Sequence, residues 1–246
     1  AVEHDHEAFE GFRVGRIDTR TADHHHDHTE PRWWPPRRAE HYFARQPETA
    51  NWRFNGANPR LTDTSGRYRL HPAAAPPVLH GDHLRLAGDA ETRGGLFVPV
   101  LDSAAFTLAF TVRYDAGWTA AILAGNLRPG GSKGGWLLGC AGGVLKLRIK
   151  DSGVAQRMTL PADIQPGDLL NLSIVREGGA LTLALWRPDK PLSVSVPIGD
   201  EVGDLLLCVG NALQPPARHP HGIALTQVHY ACRALPPEAV AALFTA

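Results

Sequence analysis

The sequence predicts an all-β fold: a two-sheet antiparallel sandwich with one short C-terminal helix, carried behind an extended N-terminal arm. Three observations predict it. Between positions 78 and 246 apolar residues recur with period 2 in a series of short runs. Gly (25) and Pro (20) together approach a fifth of the 246 residues, which favours turns and extended segments over long helices. Residues 1–77, by contrast, show no sustained period of 2 or 3.6.

The arm comes first. Residues 1–77 hold 8 of the 13 His and three of the six Trp, with Arg and acidic residues closely alternated. Arg32-Trp33-Trp34-Pro35-Pro36-Arg37-Arg38 reads as extended polyproline-like chain, because each proline fixes its own φ and turns the preceding residue away from helix. His71 to Pro77 reads as a linker. An aromatic-bearing segment without a core of its own must lie on another surface. Trp33, Trp34, Trp52 and Phe54 are therefore expected to dock the arm into grooves of partner subunits, in a homo-oligomer or larger assembly. Packing against the chain's own domain is the alternative.

The domain, residues 78–246, follows. Phe106, Leu108, Phe110, Val112 and Tyr114 alternate with Thr107, Ala109, Thr111 and Arg113; Leu145, Leu147 and Ile149 alternate with Lys146, Arg148 and Lys150. Leu170, Leu172 and Ile174, then Leu181, Leu183 and Leu185, then Leu192, Val194 and Val196 repeat the pattern. Each run is a half-buried antiparallel strand. Glu177-Gly178-Gly179 joins two of them as a hairpin. Leu205 to Val209 is apolar throughout and fits a strand covered on both faces. In Ile223 to Cys232 the apolar phase slips, which predicts a bulge near Thr226 and Gln227. Pro236 to Leu243, with proline and Glu238 in its first turn, predicts the helix.

Composition excludes whole classes. Lys+Arg and Asp+Glu are both 25, so the basic excess of a phosphate-driven nucleic-acid binder is missing. No apolar run approaches the ~20 residues of a membrane span. Three Cys without paired spacing (Cys140, Cys208, Cys232) make neither a disulfide framework nor a zinc knuckle and read as buried small hydrophobes. No charged-then-apolar leader pattern follows Ala1; removal of an initiator Met and cleavage of a signal both stay open.

Candidate chemistry is sparse. No two acids lie i, i+2 inside a predicted strand, so the carboxylate pair of a retaining glycosidase, about 5 Å apart, has no place on the sheets. The expectation is no catalytic residue. Asn126 to Gly135 lacks the Gly-Lys-Ser/Thr of a phosphate loop and precedes a strand. It reads instead as a rim loop flanked by Trp118 and Trp136. Trp118, Asn126 and Trp136 are thus the ligand-binding candidates, with rings suited to stacking on sugars; a core role for both Trp competes with this. Asp200, Glu201 and Asp204 share one loop, a thin basis for Ca²⁺. In extended chain, His4 and His6, and again His24, His26 and His28, project to one side, so these imidazoles are the candidate ligands for a divalent transition metal, with a solvated polar stretch as the alternative.

The order of segments resembles the laminin-G-like jelly roll of the concanavalin A-like superfamily over about residues 79–244. Ala105 to Val112 resembles that family's "-F-T-I-S-F-W-V-" strand, and Asn171 to Leu183 its strand, Gly turn and strand. Cys208-Val209-Gly210-Asn211 resembles its short "-(I/V)-G-" strand. Gly222 to Glu238 resembles the closing strand that runs into "-A-L-S-x-E-E-". The resemblance implies a non-enzymatic binding or spacing module. With the arm, it implies a structural component of a larger assembly, best matched by a phage virion protein such as a tail fibre, spike or capsid decoration, displaying its jelly roll for adhesion or glycan binding. A secreted carbohydrate-binding module, and then a polysaccharide-degrading enzyme, are the alternatives.

Overall fold

The computed structural model describes residues 49–54, 61–65, 70–72, 77–86, 96–99, 105–114, 121–126, 135–151, 154–199, 206–209 and 223–245. Among the described residues are fifteen strands: β1 (Thr49–Arg53), β2 (His71–Pro72), β3 (Val78–His80), β4 (His83–Leu86), β5 (Leu96–Pro99), β6 (Ala105–Arg113), β7 (Ala121–Gly125), β8 (Gly135–Ala141), β9 (Val144–Asp151), β10 (Val154–Pro161), β11 (Leu169–Glu177), β12 (Ala180–Trp186), β13 (Leu192–Pro197), β14 (Leu206–Val209) and β15 (Ile223–Ala231). One helix, α1 (Pro237–Leu243), follows, with proline at its start and Glu238 in its first turn. Eight strands make one sheet in the order β13-β12-β11-β6-β15-β4-β3, with β1 also paired to β15; seven make the other, β10-β9-β8-β7-β14-β5-β2. The pairings are antiparallel, and the architecture is the two-sheet jelly-roll sandwich that the alternating runs predict.

Period 2 explains how the sheets close on one another. On β11 and β12 the inward residues Leu170, Leu172, Ile174, Leu181, Leu183 and Leu185 are all buried, with Leu172 opposite Leu185 and Ile174 opposite Leu183. On β9, Leu145, Leu147 and Ile149 are buried while Lys146 between them is exposed. The layers meet where Phe106 of β6 stacks on Trp136 of β8, ring centroids 6.3 Å apart. Glycine is required at the β8–β9 turn, where Gly142 and Gly143 have φ of 59° and 76°, the left-handed pair that a two-residue hairpin needs.

The phase slip in the last strand is a bulge. Leu225 pairs with Val112 and Gln227 with Thr111, so Thr226 is the extra residue, and the pairing shifts between Leu225 and Gln227. Its carbonyl accepts the N–H of Phe54 at 3.1 Å. β6 lies next to β15 and is buried on both faces, including Thr107, Ala109 and Thr111. The outer cover at Thr107 is the segment before α1: Thr107 Oγ1 donates to the Arg233 carbonyl and accepts the Leu235 N–H, both at 2.9 Å.

The structure corrects the arm at one end. Residues 49–54 belong to the sandwich: β1 pairs along β15 from Thr49–Ala231 to Arg53–Gln227, and Ala50, Trp52, Phe54, Leu61 and Leu70 lie in the core. Trp52 and Phe54 are fully buried by this chain itself and so have no surface with which to dock on a partner. The physical reason is that Ala50, Trp52 and Phe54 form a short period-2 run that supplies one face of a strand. Residues 1–48 lie outside the described residues.

Candidate functional site

The outer face of the eight-stranded sheet carries a groove of about 490 Å³ over β11, β12 and β13. Strand register builds its floor. Ser173, Ala184 and Ser193 are in line across the three strands, and Val175, Thr182 and Ser195 form the next row. These are the outward positions of strands whose inward positions are aliphatic apart from Arg176, and small side chains here leave the depression open. One wall is Trp186, opposite Asn171 in register, with Pro191 beyond it; the other is Leu235, Pro236, Pro237 and Val240. The double hydrogen bond to Thr107 holds that second wall in place.

Trp186 is half-buried, and its indole N–H donates to Ser173 Oγ at 2.8 Å, which ties the ring to the groove floor. Thr182 Oγ1 donates to Ser195 Oγ at 3.1 Å. The groove thus presents an aromatic ring, the hydroxyls of Thr182 and Ser193 and a proline-rich edge, while Ser173 itself is buried. Glu177 stands at the hairpin end. Apolar surface for stacking next to short hydroxyls suits a ligand with one apolar face and several polar edges.

The residues singled out from sequence are placed differently. Asn126 and Trp136 are brought together, but inside the fold: the Trp136 N–H donates to Asn126 Oδ1 at 3.0 Å, and the Asn126 N–H donates to the Trp136 carbonyl at 3.1 Å. Both are buried, Trp136 to 1% exposure, so neither can meet a ligand. The glycines before Trp136 suggested a rim, but its position on β8 points it inward at Phe106. Trp118, Trp33, Trp34, the metal candidates His4, His6, His24, His26 and His28, and the acids Asp200, Glu201 and Asp204 lie outside the described residues. Among the described residues no three His, Cys, Asp or Glu side chains are grouped to hold a metal ion. Cys140 is buried, which pushes its thiol up to about 11, and Cys232 is half-buried against the core.

Sequence reasoning missed Trp186, although a signal was there. Leu181, Leu183 and Leu185 set the inward phase of β12, so Trp186 falls on the polar phase with Thr182 and Ala184. A tryptophan out of phase with the apolar side of its strand is not accounted for by the core.

Fold and groove together define a jelly-roll β-sandwich with an aromatic-walled outer surface. Known structures with this fold include binding domains of bacterial toxins. The chain is similar to the botulinum neurotoxin serotype D binding domain (TM-score 0.58, 14% identity, 80% of this chain and 51% of that one). It is also similar to a botulinum neurotoxin type C structure, a toxin whose cell entry is described as dependent on two ganglioside molecules (TM-score 0.60, 13% identity, 80% and 50%). A third is the botulinum neurotoxin DC binding domain in complex with SialylT (TM-score 0.55, 13% identity, 74% and 47%). At such identities the likeness establishes the fold, and the chain spans about half the length of these structures. No protein-family model matches the sequence, and a search of curated proteins returns no match.

Proposed function

We propose that this chain is a non-enzymatic binding module that takes a surface glycan into the groove beside Trp186. The observation that carries the reading is a tryptophan on the outward phase of β12, tied to Ser173 over a floor of small and hydroxyl residues. A sugar offers a matching apolar ring face and hydroxyl edges. Glu177 is the only acid among the described residues lining the groove, whereas a hydrolase of this kind works with two carboxylates. The toxin binding domains that share the fold, one of them in complex with SialylT, lend support.

The laminin-G-like assignment rests on the four strand motifs. The setting we propose is a larger assembly, a phage virion in the first instance and a secreted location otherwise, with residues 1–48 as the attachment arm on other subunits. Glycan-array screening followed by calorimetry tests the groove: Trp186→Ala is expected to abolish binding while circular dichroism stays unchanged. A silent array, or affinity that survives Trp186→Ala, removes the reading. Deleting residues 1–48 tests the arm and is expected to leave a folded domain that no longer assembles.

A further inference from the structure

We infer that Ser173 is the positioning residue of the groove: it holds the Trp186 indole by its N–H, so that a sugar is met by the ring's apolar face alone, an inference that rests on the glycan reading above. Trp186 stands opposite Asn171 in register, and Ser173 opposite Ala184. The indole therefore reaches diagonally across the β11–β12 pair to bring its N–H to Ser173 Oγ at 2.8 Å, a span open to an aromatic side chain. Small neighbours make room for that reach: Ala184, two positions back on β12, and Ala109, opposite Ser173 on β6. The partner directly across from Trp186 is engaged elsewhere. Asn171 Oδ1 accepts from Thr111 Oγ1 at 2.8 Å, and Thr111 Oγ1 in turn accepts from Gln227 Nε2 at 3.1 Å. The bulge at Thr226 is what sets Gln227 beside Thr111 in that row.

Ser173 is 1% exposed, so its hydroxyl lies beneath the groove surface and acts on a ligand only through Trp186. The core tryptophans behave differently. The indole N–H groups of Trp52 and Trp136 are buried with no hydrogen-bond partner among the described residues, so packing alone holds those rings. Trp186 is open on its groove side and lacks that enclosure; one hydrogen bond to a rigid floor replaces it. With its nitrogen edge pinned there, the ring stands as a wall before a ligand arrives, and binding has less side-chain freedom to remove. The same bond decides what the wall can say. An indole N–H turned outward is a donor to sugar hydroxyls, whereas this one is already engaged. Recognition at Trp186 is then stacking of sugar C–H groups on the ring, and hydrogen bonds to the sugar come from Thr182 and Ser193.

The test uses the full chain and, as probe, the oligosaccharide with the strongest Trp186-dependent signal on the array. In calorimetry Ser173→Ala is expected to bind it about tenfold more weakly, while Ser173→Thr, which keeps the hydroxyl, binds like the wild type. Hydrogen exchange followed by NMR gives a readout that a merely structural role would not move. The Trp186 indole N–H signal, assigned by its absence from Trp186→Phe, is expected to exchange slowly in the unliganded protein and to stay protected when the probe is bound. In Ser173→Ala it should exchange at least about tenfold faster, with the other indole signals unchanged. Fast exchange of this N–H in the unliganded wild type overturns the inference, and that measurement decides the matter even where Ser173→Ala does not fold. Wild-type affinity in Ser173→Ala, or an equal loss in Ser173→Thr, also overturns it and leaves the glycan reading standing. If no array sugar binds in a Trp186-dependent way, the reading falls and takes this inference with it.

Discussion

The two faces of β11 and β12 are made by the same strands and obey different rules. Inward, Leu170, Leu172, Ile174, Leu181, Leu183 and Leu185 are uniformly large and aliphatic, because every gap in a core forfeits contacts. Outward, Ser173, Val175, Thr182 and Ala184 are small, and the one large ring, Trp186, is held by a hydrogen bond rather than sealed by neighbours. The contrast teaches that an aromatic residue's meaning depends on the phase of its strand. Trp136 and Trp186 have the same side chain, yet one closes the sandwich and the other walls an open groove.

The comparison can be broken most forcefully from the inside. Trp52→Ala or Trp136→Ala removes a fully buried ring and is expected to cost about 3–5 kcal/mol of unfolding free energy in chemical denaturation. A small effect at Trp52 would mean that β1 is not part of the cooperative unit. The next largest effect is pH-dependent. On β15, between Asn51 of β1 and Ala109 of β6, burial and then the Arg233 charge push the His229 imidazole from its ordinary 6.5 down to about 4. The unfolded chain binds the proton first, so stability is complete above pH 6.5 and falls as the pH drops from about 6.5 towards about 4. Allowing for solvent screening, the loss is on the order of 1–2 kcal/mol, and denaturation of His229→Gln at pH 7.5 and pH 4.5 should show a flatter dependence.

Of similar size is Gly143→Ala. It places a methyl 3.0 Å from the Ile164 carbonyl at a φ of 76°, and about 1–2 kcal/mol should be lost, read as a lower melting temperature. Smallest is Trp186→Ala, expected to cost about 1 kcal/mol, since it removes one hydrogen bond to a buried hydroxyl while the core stays intact. A core-sized loss there would erase the distinction between the two faces.

Much of this fold was legible because alternation over seven to nine residues has one physical meaning. β6, β9, β11 and β12 follow from it, and even the irregularity at Thr226 shows as a change of phase. β1 was harder. Its apolar face consists of Ala50, Trp52 and Phe54 alone, three residues in a stretch otherwise rich in His, Pro and Arg, and its reason for being a strand lies 176 residues away in β15. That distance, from Trp52 to Val228 and its neighbours, hides the partner that makes the pairing worthwhile. Part of the site was hidden for a similar reason. The Ser173–Ala184–Ser193 floor exists only once three strands are in register, and the second wall only once the residues around Leu235 fold back over Thr107. Trp186 was readable from phase alone.

One consequence follows from the position of β15. The strand touches β6 along one edge and both β4 and β1 along the other. Without that strand the sheet is two separate pieces, β13-β12-β11-β6 on one side and β4-β3 on the other, with β1 unpaired and a slot between them. Closure of this sheet thus depends on pairing between segments far apart in sequence, a slow kind of step that leaves apolar edges uncovered until it is made.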